Sequence, residues 1–120
     1  MNMNKILVVN NDIDTMSLIQ QALQLRGYDV KYTGNKQEIE SLLTSFSPDV
    51  LVIDILQMPS IEHSGAVIRE QNIDILMMTG YNNQEDAAVR SPGSYIKKPF
   101  TIQQLQQQIE AILLNKKRSA

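Results

Sequence analysis

The sequence predicts an α/β fold in which helices cover both faces of a five-stranded parallel sheet. Short apolar runs alternate five times with segments whose apolar residues recur at helical spacing. The run VLVID at residues 50–54 stays apolar until its final acid, which is typical of a strand buried on both faces. Because parallel strands need a crossover between them, and the crossover is usually a helix, this alternation favours a doubly wound sheet.

The composition indicates one domain, which we place over residues 1–120. Thirteen acidic residues against eleven basic ones give a net charge of −2, so we expect no direct binding to nucleic acid. Cysteine is absent, which excludes disulfides, thiolate metal sites and thiol catalysis. The sequence has neither a recognisable signal peptide nor an apolar run of bilayer length, so we expect a cytoplasmic protein without membrane contact.

The first half of the chain predicts three strands and two helices. The strands are expected at residues 5–9, 28–32 and 49–54. The first helix is expected after the Asx residues at 10–12, which suit a helix cap, and it ends at Gly27. Asn35 and Glu38 have the spacing of a capping box at the start of the second helix.

The second half predicts two more strands and three helices, two of them short. Strands are expected at residues 73–78 and 94–97, and the short third and fourth helices at 65–71 and 84–90. Residues 55–64, which contain Pro59, are expected to form a loop. The last helix begins after Thr101, which has capping-box spacing with Gln104, and the basic run at 116–118 is expected to be its solvated end.

Polar side chains follow four of the five predicted strands. They are Asn10, Asn11 and Asp12 after the first strand, Asp54 at the end of the third, Thr79 after the fourth and Lys98 after the fifth. In open α/β sheets ligands bind outside the carboxyl ends of the strands, so we expect these groups to converge on one rim. A buried, unpaired carboxylate would cost several kcal/mol, which places Asp54 at the mouth of this rim. Each of these residues also has an explanation that needs no ligand. Asp54 could cap a helix or lie at a solvated strand end, and the Thr79 hydroxyl could stabilise a turn.

The segments that carry these residues resemble the receiver domain of two-component response regulators. The resemblance rests on VVNND after the first strand, on Asp54, on LMMTGY with Thr79, and on YIKKPF with Lys98 and Pro99. It covers essentially the whole chain. It implies a flavodoxin-like sheet of order 2-1-3-4-5, with third and fourth helices shorter than is usual in the family.

The resemblance also implies roles for individual residues. Asp54 would accept a phosphoryl group from a sensor histidine kinase or a phosphotransfer protein, and Thr79 and Lys98 would hold the phosphoryl oxygens. Tyr95 would change rotamer when the switch is thrown, and the Lys98-Pro99 bond would be cis. The signal would pass to a downstream effector protein or domain. In the family a Mg²⁺ ion bound beside the acceptor helps to neutralise the phosphoryl charge.

The metal site departs from the family pattern because Asn10 and Asn11 stand where two acids are usual. An amide brings no charge, whereas two charges at ~4 Å interact by about 4 kcal/mol at an effective dielectric constant near 20. We therefore expect Mg²⁺ binding to be weak or absent, with Asn11, Asp12 and Asp54 as the remaining candidate ligands. Asp12 is equally explained as an acid favoured by the helix dipole.

Three functions follow from these observations. The first is a receiver domain whose phosphorylation at Asp54 is impaired by Asn10 and Asn11. The second is a pseudo-receiver that acts as a protein-interaction module without phosphorylation. The third, an enzyme, is disfavoured. NNDIDT is not the phosphate loop of a flavodoxin, and the residues after Asp54 lack the second Asp of haloacid-dehalogenase-like phosphatases. We therefore expect no enzymatic activity.

Overall fold

The computed structural model describes residues 3–80 and 94–119 and contains a sheet of five parallel strands. The strands are β1 (Lys5–Val9), β2 (Asp29–Thr33), β3 (Val50–Asp54), β4 (Asp74–Thr79) and β5 (Ser94–Lys97). Their spatial order is β2-β1-β3-β4-β5, and every neighbouring pair is parallel. The predicted fold class and strand order are confirmed. β2 and β4 each begin and end one residue later than predicted.

Four α-helices connect or follow the strands in the described residues. They are α1 (Ile13–Gln24), α2 (Lys36–Ser45), α3 (Gly65–Glu70) and α4 (Ile102–Ser119). The six residues of α3 confirm that this helix is short. The helix predicted at residues 84–90 lies outside the described residues. None of the described helices is both long and apolar enough to cross a bilayer.

The core consists of two layers, one on each face of the sheet. β3 lies in the middle, and all five of its residues are buried. Its Val52 faces the layer formed with α1 and α4, while its neighbour Ile53 faces the layer formed with α2. Since successive strand residues point to opposite faces, a strand covered on both sides must be apolar throughout. This explains why the apolar runs were a sufficient signal for the strands.

Residues 55–64 form a 3₁₀ helix, Ile55–Ser64, and not the predicted loop. The Asp54 carboxylate caps its start by accepting the N–H of Leu56 at 2.9 Å. Its two buried residues, Ile61 and Ser64, are three residues apart, and Met58, three residues before Ile61, packs in the same cluster as Ile61. This is the period of a 3₁₀ helix, which a search for periods of 3.6 and 2 residues does not detect.

The start of α2 also differs in detail from the prediction. Asn35 caps the helix by accepting the N–H of Gln37 at 2.9 Å, as expected. However, Glu38 does not return to the N–H of Asn35. That N–H donates to Thr33 Oγ1 at 3.0 Å, and the Thr33 hydroxyl donates to the Glu38 carboxylate at 2.6 Å. The Thr33 hydroxyl therefore bridges Asn35 and Glu38, which would contact each other directly in a capping box.

The start of α4 matches its prediction. Thr101 accepts the N–H of Gln104 at 3.1 Å, and the Gln104 side chain accepts the N–H of Thr101 at 2.9 Å. This is the reciprocal pair of a capping box.

The basic end of α4 is not simply solvated. The Lys116 ammonium donates to the carbonyl of Asp49 at 2.9 Å and to the carbonyl of Asn72, and it lies 3.5 Å from the Asp74 carboxylate. These three partners lie at the amino ends of β3 and β4. Lys116 therefore fastens α4 to the edge of the sheet opposite the predicted rim.

The β1–α1 loop and the β2–α2 loop approach each other closely at Gly34. A Cβ atom at this position would lie 2.7 Å from the carbonyl oxygen of Asn10. We expect Gly34→Ala to lower the free energy of unfolding by roughly 1–3 kcal/mol, because the backbone must shift to relieve the overlap. Urea unfolding measures the change. Gly80→Ala is the matched control, since a Cβ there meets nothing within 4 Å. Equal effects in the two variants would contradict the close approach.

Candidate functional site

A cleft of about 880 Å³ opens at the carboxyl ends of β1 and β3 and extends between α1 and the β5–α4 connection. Five of the predicted rim residues line it: Asn10, Asn11, Asp12, Asp54 and Lys98. The chain therefore brings together, from three separate segments, two carboxylates, an ammonium and two amides. This convergence follows from the parallel sheet, which puts the carboxyl end of every strand on the same edge.

Asp54 is the last residue of β3, and both of its carboxylate oxygens are engaged. Oδ1 accepts the N–H of Leu56 at 2.9 Å, and Oδ2 lies 2.5 Å from the Lys98 ammonium. The Asp54 side chain is only 10% exposed, so it depends on these two donors for the solvation it has lost. Asp54 thus caps the 3₁₀ helix and also forms an ion pair.

Lys98 reaches the site from the segment that follows β5. Its backbone N–H donates to the carbonyl of Thr79 at 2.7 Å, which continues the contact between β4 and β5 for one residue. The Lys98-Pro99 peptide bond is cis, as the resemblance implied. The side chain of Lys98 is 40% exposed, so the ion pair lies at the mouth of the cleft and not within the core.

Thr79 lies at the end of β4, but its hydroxyl is directed elsewhere. The residue is fully buried, and Oγ1 donates to the carbonyl of Ile96 at the long distance of 3.5 Å. In the register of β3 and β4, Asp54 pairs with Met78, so Thr79 lies one residue beyond the position opposite Asp54. Met78 is the only described residue of β4 that lines the cleft, and Thr79 does not line it.

The residues after β1 form the turn into α1. Asn10 is 4% exposed, and its side-chain oxygen accepts the N–H of Asp12 at 3.2 Å. Asp12 is the cap of α1: its carboxylate accepts the N–H groups of Asp14 and Thr15 and the Thr15 hydroxyl, the last at 2.7 Å. Asn11 is exposed. The side-chain oxygens of Asn10 and Asp12 therefore already have partners within the turn.

These contacts lower the pKa of the Asp12 carboxyl. The largest cause is the hydrogen bond from the Thr15 hydroxyl, followed by the Thr15 backbone N–H. Desolvation acts in the opposite direction, and the Lys98 ammonium makes a smaller contribution that lowers the pKa further. Hydrogen bonds to the charged form stabilise it, so the carboxylate persists to lower pH than usual.

The oxygen donors of the rim do not fit a Mg²⁺ ion in their observed arrangement. Mg²⁺ requires near-octahedral oxygen coordination and is usually held by one or two carboxylates. Both carboxylates of the cleft, Asp12 and Asp54, already accept two or more hydrogen bonds or an ion pair. Within residues 3–80 and 94–119, no group of three or more acidic, His or Cys side chains is placed to hold a metal. The weak or absent Mg²⁺ site stays a prediction.

Tyr95 lies on a different surface from the cleft. It is 40% exposed on β5 and lines a groove of about 420 Å³ with Phe100 and Gln104. Phe100 borders both this groove and the cleft, so it connects the two surfaces. The switch role of Tyr95 stays a prediction.

Two features of the cleft were not predicted from the sequence. One is the N–H of Leu56, a backbone donor whose position depends on the unrecognised 3₁₀ helix. The other is an apolar strip that lines the cleft and consists of Leu18 on α1 and Leu25 directly after this helix. Both leucines are strongly exposed. Their seven-residue spacing is the signal that could have revealed this apolar strip.

Residues 6–110 match the sequence model of the response regulator receiver domain family. The chain belongs to this family. Receiver domains act in two-component systems, where they interact with histidine kinases and with downstream effectors.

Curated relatives of this receiver domain are longer proteins. The probable transcriptional regulator ycf27 of Cyanidium caldarium is 27% identical over 114 residues, which are 90% of this chain and 45% of that protein. The sensory transduction protein BceR of Halalkalibacterium halodurans is 30% identical over 117 residues, with coverage of 92% and 50%. This chain thus spans about half the length of these curated relatives.

Solved structures support the fold. The CheY-like receiver domain protein of Methanospirillum hungatei JF-1 superposes with a TM-score of 0.83 and 21% sequence identity. The superposition covers 99% of this chain and 100% of that one.

The lowered pKa of Asp12 gives a pH-dependent prediction. Its charge stabilises the fold above the usual pKa of 3.8, and this contribution is lost as the pH falls through the lowered value. Because Thr15→Val removes the largest cause of the shift, it should raise the Asp12 pKa. The variant should then lose less stability than the unmodified chain between about pH 5 and about pH 3.

NMR titration of the Asp12 carboxyl carbon, with acid unfolding in parallel, measures both effects. Thr44→Val on α2, where the side chain is exposed, is the control. An Asp12 pKa that is the same in Thr15→Val as in the control would contradict the assigned cause.

Proposed function

We propose that this receiver domain carries its signal through Asp54 as phosphoacceptor, with phosphorylation impaired by Asn10 and Asn11. The observation that supports the proposal is the ion pair between Asp54 and Lys98 at the mouth of the cleft. A carboxylate at a strand end, with an ammonium beside it and solvent access through an open cleft, is suited to accept a phosphoryl group and to hold its charge.

The transfer would make one bond and break one. A carboxylate oxygen of Asp54 attacks phosphorus, and the bond from phosphorus to the donor breaks as the donor leaves with the electron pair. Before attack, Oδ2 must give up part of its contact with Lys98, whose ammonium then moves to the phosphoryl oxygens. The Thr79 hydroxyl must leave the carbonyl of Ile96 to reach the same oxygens, and its 3.5 Å bond is weak enough to break readily.

The transferring group carries negative charge that the site must stabilise. Lys98 supplies one positive charge. Asn10 and Asn11 are neutral, and they hold a divalent cation less strongly than two carboxylates would. The reaction is therefore slow because too little positive charge is available, and not because the acceptor is missing.

The second candidate is a pseudo-receiver, a protein-interaction module that works without phosphorylation. One observation favours it: both oxygens of Asp54 are satisfied by Leu56 and Lys98, so this carboxylate has its partners without a phosphoryl group. In both cases we propose a non-enzymatic signalling role. The partners would be a sensor histidine kinase or phosphotransfer protein and a downstream effector, without membrane or nucleic-acid contact by this domain.

Phosphorylation by a small donor separates the two candidates. With acetyl phosphate and Mg²⁺, we expect slow labelling of the chain, detected by intact mass as one added phosphoryl group, because the site is short of positive charge. Asp54→Asn removes the acceptor with little change in volume and should abolish the labelling. Fast, Mg²⁺-dependent labelling that is lost in the control would contradict the impairment. Labelling that persists in the control would contradict Asp54 as acceptor.

Restoring the two acids tests the cause of the impairment. The double variant Asn10→Asp, Asn11→Asp should bind Mg²⁺ at least about tenfold more tightly, because each added carboxylate attracts the cation. Most of the gain should come from Asn11→Asp, since Asn11 is exposed whereas the Asn10 oxygen is bound to the N–H of Asp12. Calorimetric titration measures the affinity.

Gln24→Glu, at the far end of α1, is the control for added charge alone. An affinity in the double variant no higher than in this control would contradict the role of the two amides.

A further inference from the structure

The 3₁₀ helix that follows β3 is only weakly stabilised by its own backbone. It runs over Ile55–Ser64, although 3₁₀ helices longer than about four residues are uncommon because their hydrogen bonds have poor geometry. In such a helix each carbonyl accepts the N–H group three residues further on. Pro59 has no N–H group and cannot donate to the carbonyl of Leu56, so this bond is missing from the first turn. The segment therefore depends on contacts outside its own backbone.

Asp54 provides one of these contacts at the start of the helix. Its Oδ1 accepts the N–H of Leu56 at 2.9 Å. The acceptor is a carboxylate, and charge-assisted hydrogen bonds are roughly twice as strong as those between neutral groups. The Leu56 side chain is 72% exposed and adds little packing. The same carboxylate that lines the cleft thus also holds the first turn of this helix.

The buried side of the 3₁₀ helix contacts the core layer on one face of the sheet. Met58 and Ile61 pack in this layer with Ile39 and Leu43 of α2. Val67 of α3 packs against the same layer. Because protein interiors are closely packed and transmit strain, a change in the 3₁₀ helix reaches α2 and α3 through these side chains.

We propose that the 3₁₀ helix is a conformational switch that responds to the charge on Asp54. With the carboxylate intact, Oδ1 holds the N–H of Leu56 and the first turn is ordered. When Oδ2 forms its bond to phosphorus, and the donor leaves with the electron pair of the broken bond, Oδ1 becomes the uncharged carbonyl oxygen of an acyl phosphate. The hydrogen bond to Leu56 is then no longer charge-assisted, so the first turn loosens and Met58 and Ile61 shift against α2.

The link to phosphorylation rests on the proposed function, whereas the dependence of the 3₁₀ helix on Asp54 does not. The switch can therefore be tested by substitution alone. The phosphorylated chain then tests whether the reaction operates it.

Three methionines report on the two core layers. Met58 lies in the 3₁₀ helix, Met77 lies on β4 in the same layer, and Met16 lies on α1 in the opposite layer. NMR of the chain with ¹³C-labelled methionine methyl groups follows all three, and hydrogen exchange follows the amides of residues 55–64. In Asp54→Ala these amides should exchange at least about fivefold faster, as expected for the loss of a helix cap. The Met58 resonance should shift, whereas that of Met16 should not.

Two further variants separate the cap from the ion pair. Asp54→Asn keeps an acceptor oxygen without its charge, so its effect should be smaller than that of Asp54→Ala but in the same direction. It also keeps the proposal testable if Asp54→Ala does not fold. Lys98→Met removes the ion pair but leaves the carboxylate on the N–H of Leu56, so residues 55–64 should stay protected.

Asp49→Ala is the matched control at the opposite end of β3. Its carboxylate also accepts a backbone N–H, that of Lys5 at 2.8 Å. This variant therefore loses the same kind of hydrogen bond and should leave the Met58 resonance and the exchange of residues 55–64 unchanged. Circular dichroism verifies that each variant is folded.

Acetyl phosphate with Mg²⁺ connects the switch to the reaction. In the fraction that gains a phosphoryl group, the Met58 resonance should move in the direction seen in Asp54→Asn. The reagent should change nothing in Asp54→Asn itself. A chain that gains no label would contradict the phosphoacceptor role, and the substitutions would still decide whether Asp54 controls the helix.

Unchanged protection of residues 55–64 in Asp54→Ala and in Asp54→Asn overturns the proposal. So does an equal loss of protection in Lys98→Met and Asp54→Ala, which would make the ion pair the stabilising contact. An equal loss in Asp49→Ala, or a phosphorylated fraction in which Met58 does not move, contradicts it as well.

Discussion

The ion pair between Lys98 and Asp54 is the interaction on which the rest of the site depends. It joins residues 44 positions apart, one at the end of the central strand and one after the edge strand. The Asp54 side chain is mostly buried, and a buried carboxylate without a partner is destabilising by several kcal/mol. Lys98, which follows the edge strand β5, provides that partner.

The two amides fit this arrangement. Carboxylates at positions 10 and 11 would add to the negative charge of Asp54, and such a cluster is stable only with a cation among its members. With Asn10 and Asn11 in their place, Lys98 pairs with Asp54, and the other carboxylate of the cleft, Asp12, is held by hydrogen bonds from Asp14 and Thr15. Asn10 contributes to the fold as well, since its side-chain oxygen holds the turn into α1. Under the proposed function, this arrangement leaves little positive charge for an incoming phosphoryl group.

The sheet could be predicted because strands buried on both faces have an unmistakable sequence pattern. Val50 to Ile53 have no polar alternation, and the parallel topology then places every strand end on one rim. The 3₁₀ helix after Asp54 was missed because its three-residue period matches neither α-helix nor strand. Glu38 was assigned to Asn35 from spacing alone, although Thr33, which lies earlier in the chain, intervenes between them.

The orientation of side chains was less predictable than the position of the backbone. The convergence of Asp54 and Lys98 follows from topology, but the hydrogen bond of Thr79 to Ile96 depends on packing at the end of β4, which no local pattern encodes. Lys116 shows the same limit, because a basic residue expected at a solvated helix end proved to be bound to carbonyl groups. Which residues are covered depends on neighbours distant in the sequence.

The central claim is that the Lys98 ammonium stabilises the Asp54 carboxylate, and a double-mutant cycle measures this directly. Asp54→Asn, Lys98→Met and the double variant are compared by urea unfolding in the presence and absence of Mg²⁺. We predict a coupling free energy of about 1 kcal/mol, reduced from that of a fully buried pair because the Lys98 ammonium is partly solvated, and unchanged by Mg²⁺. A coupling indistinguishable from zero, or one that disappears when Mg²⁺ is added, would contradict the claim.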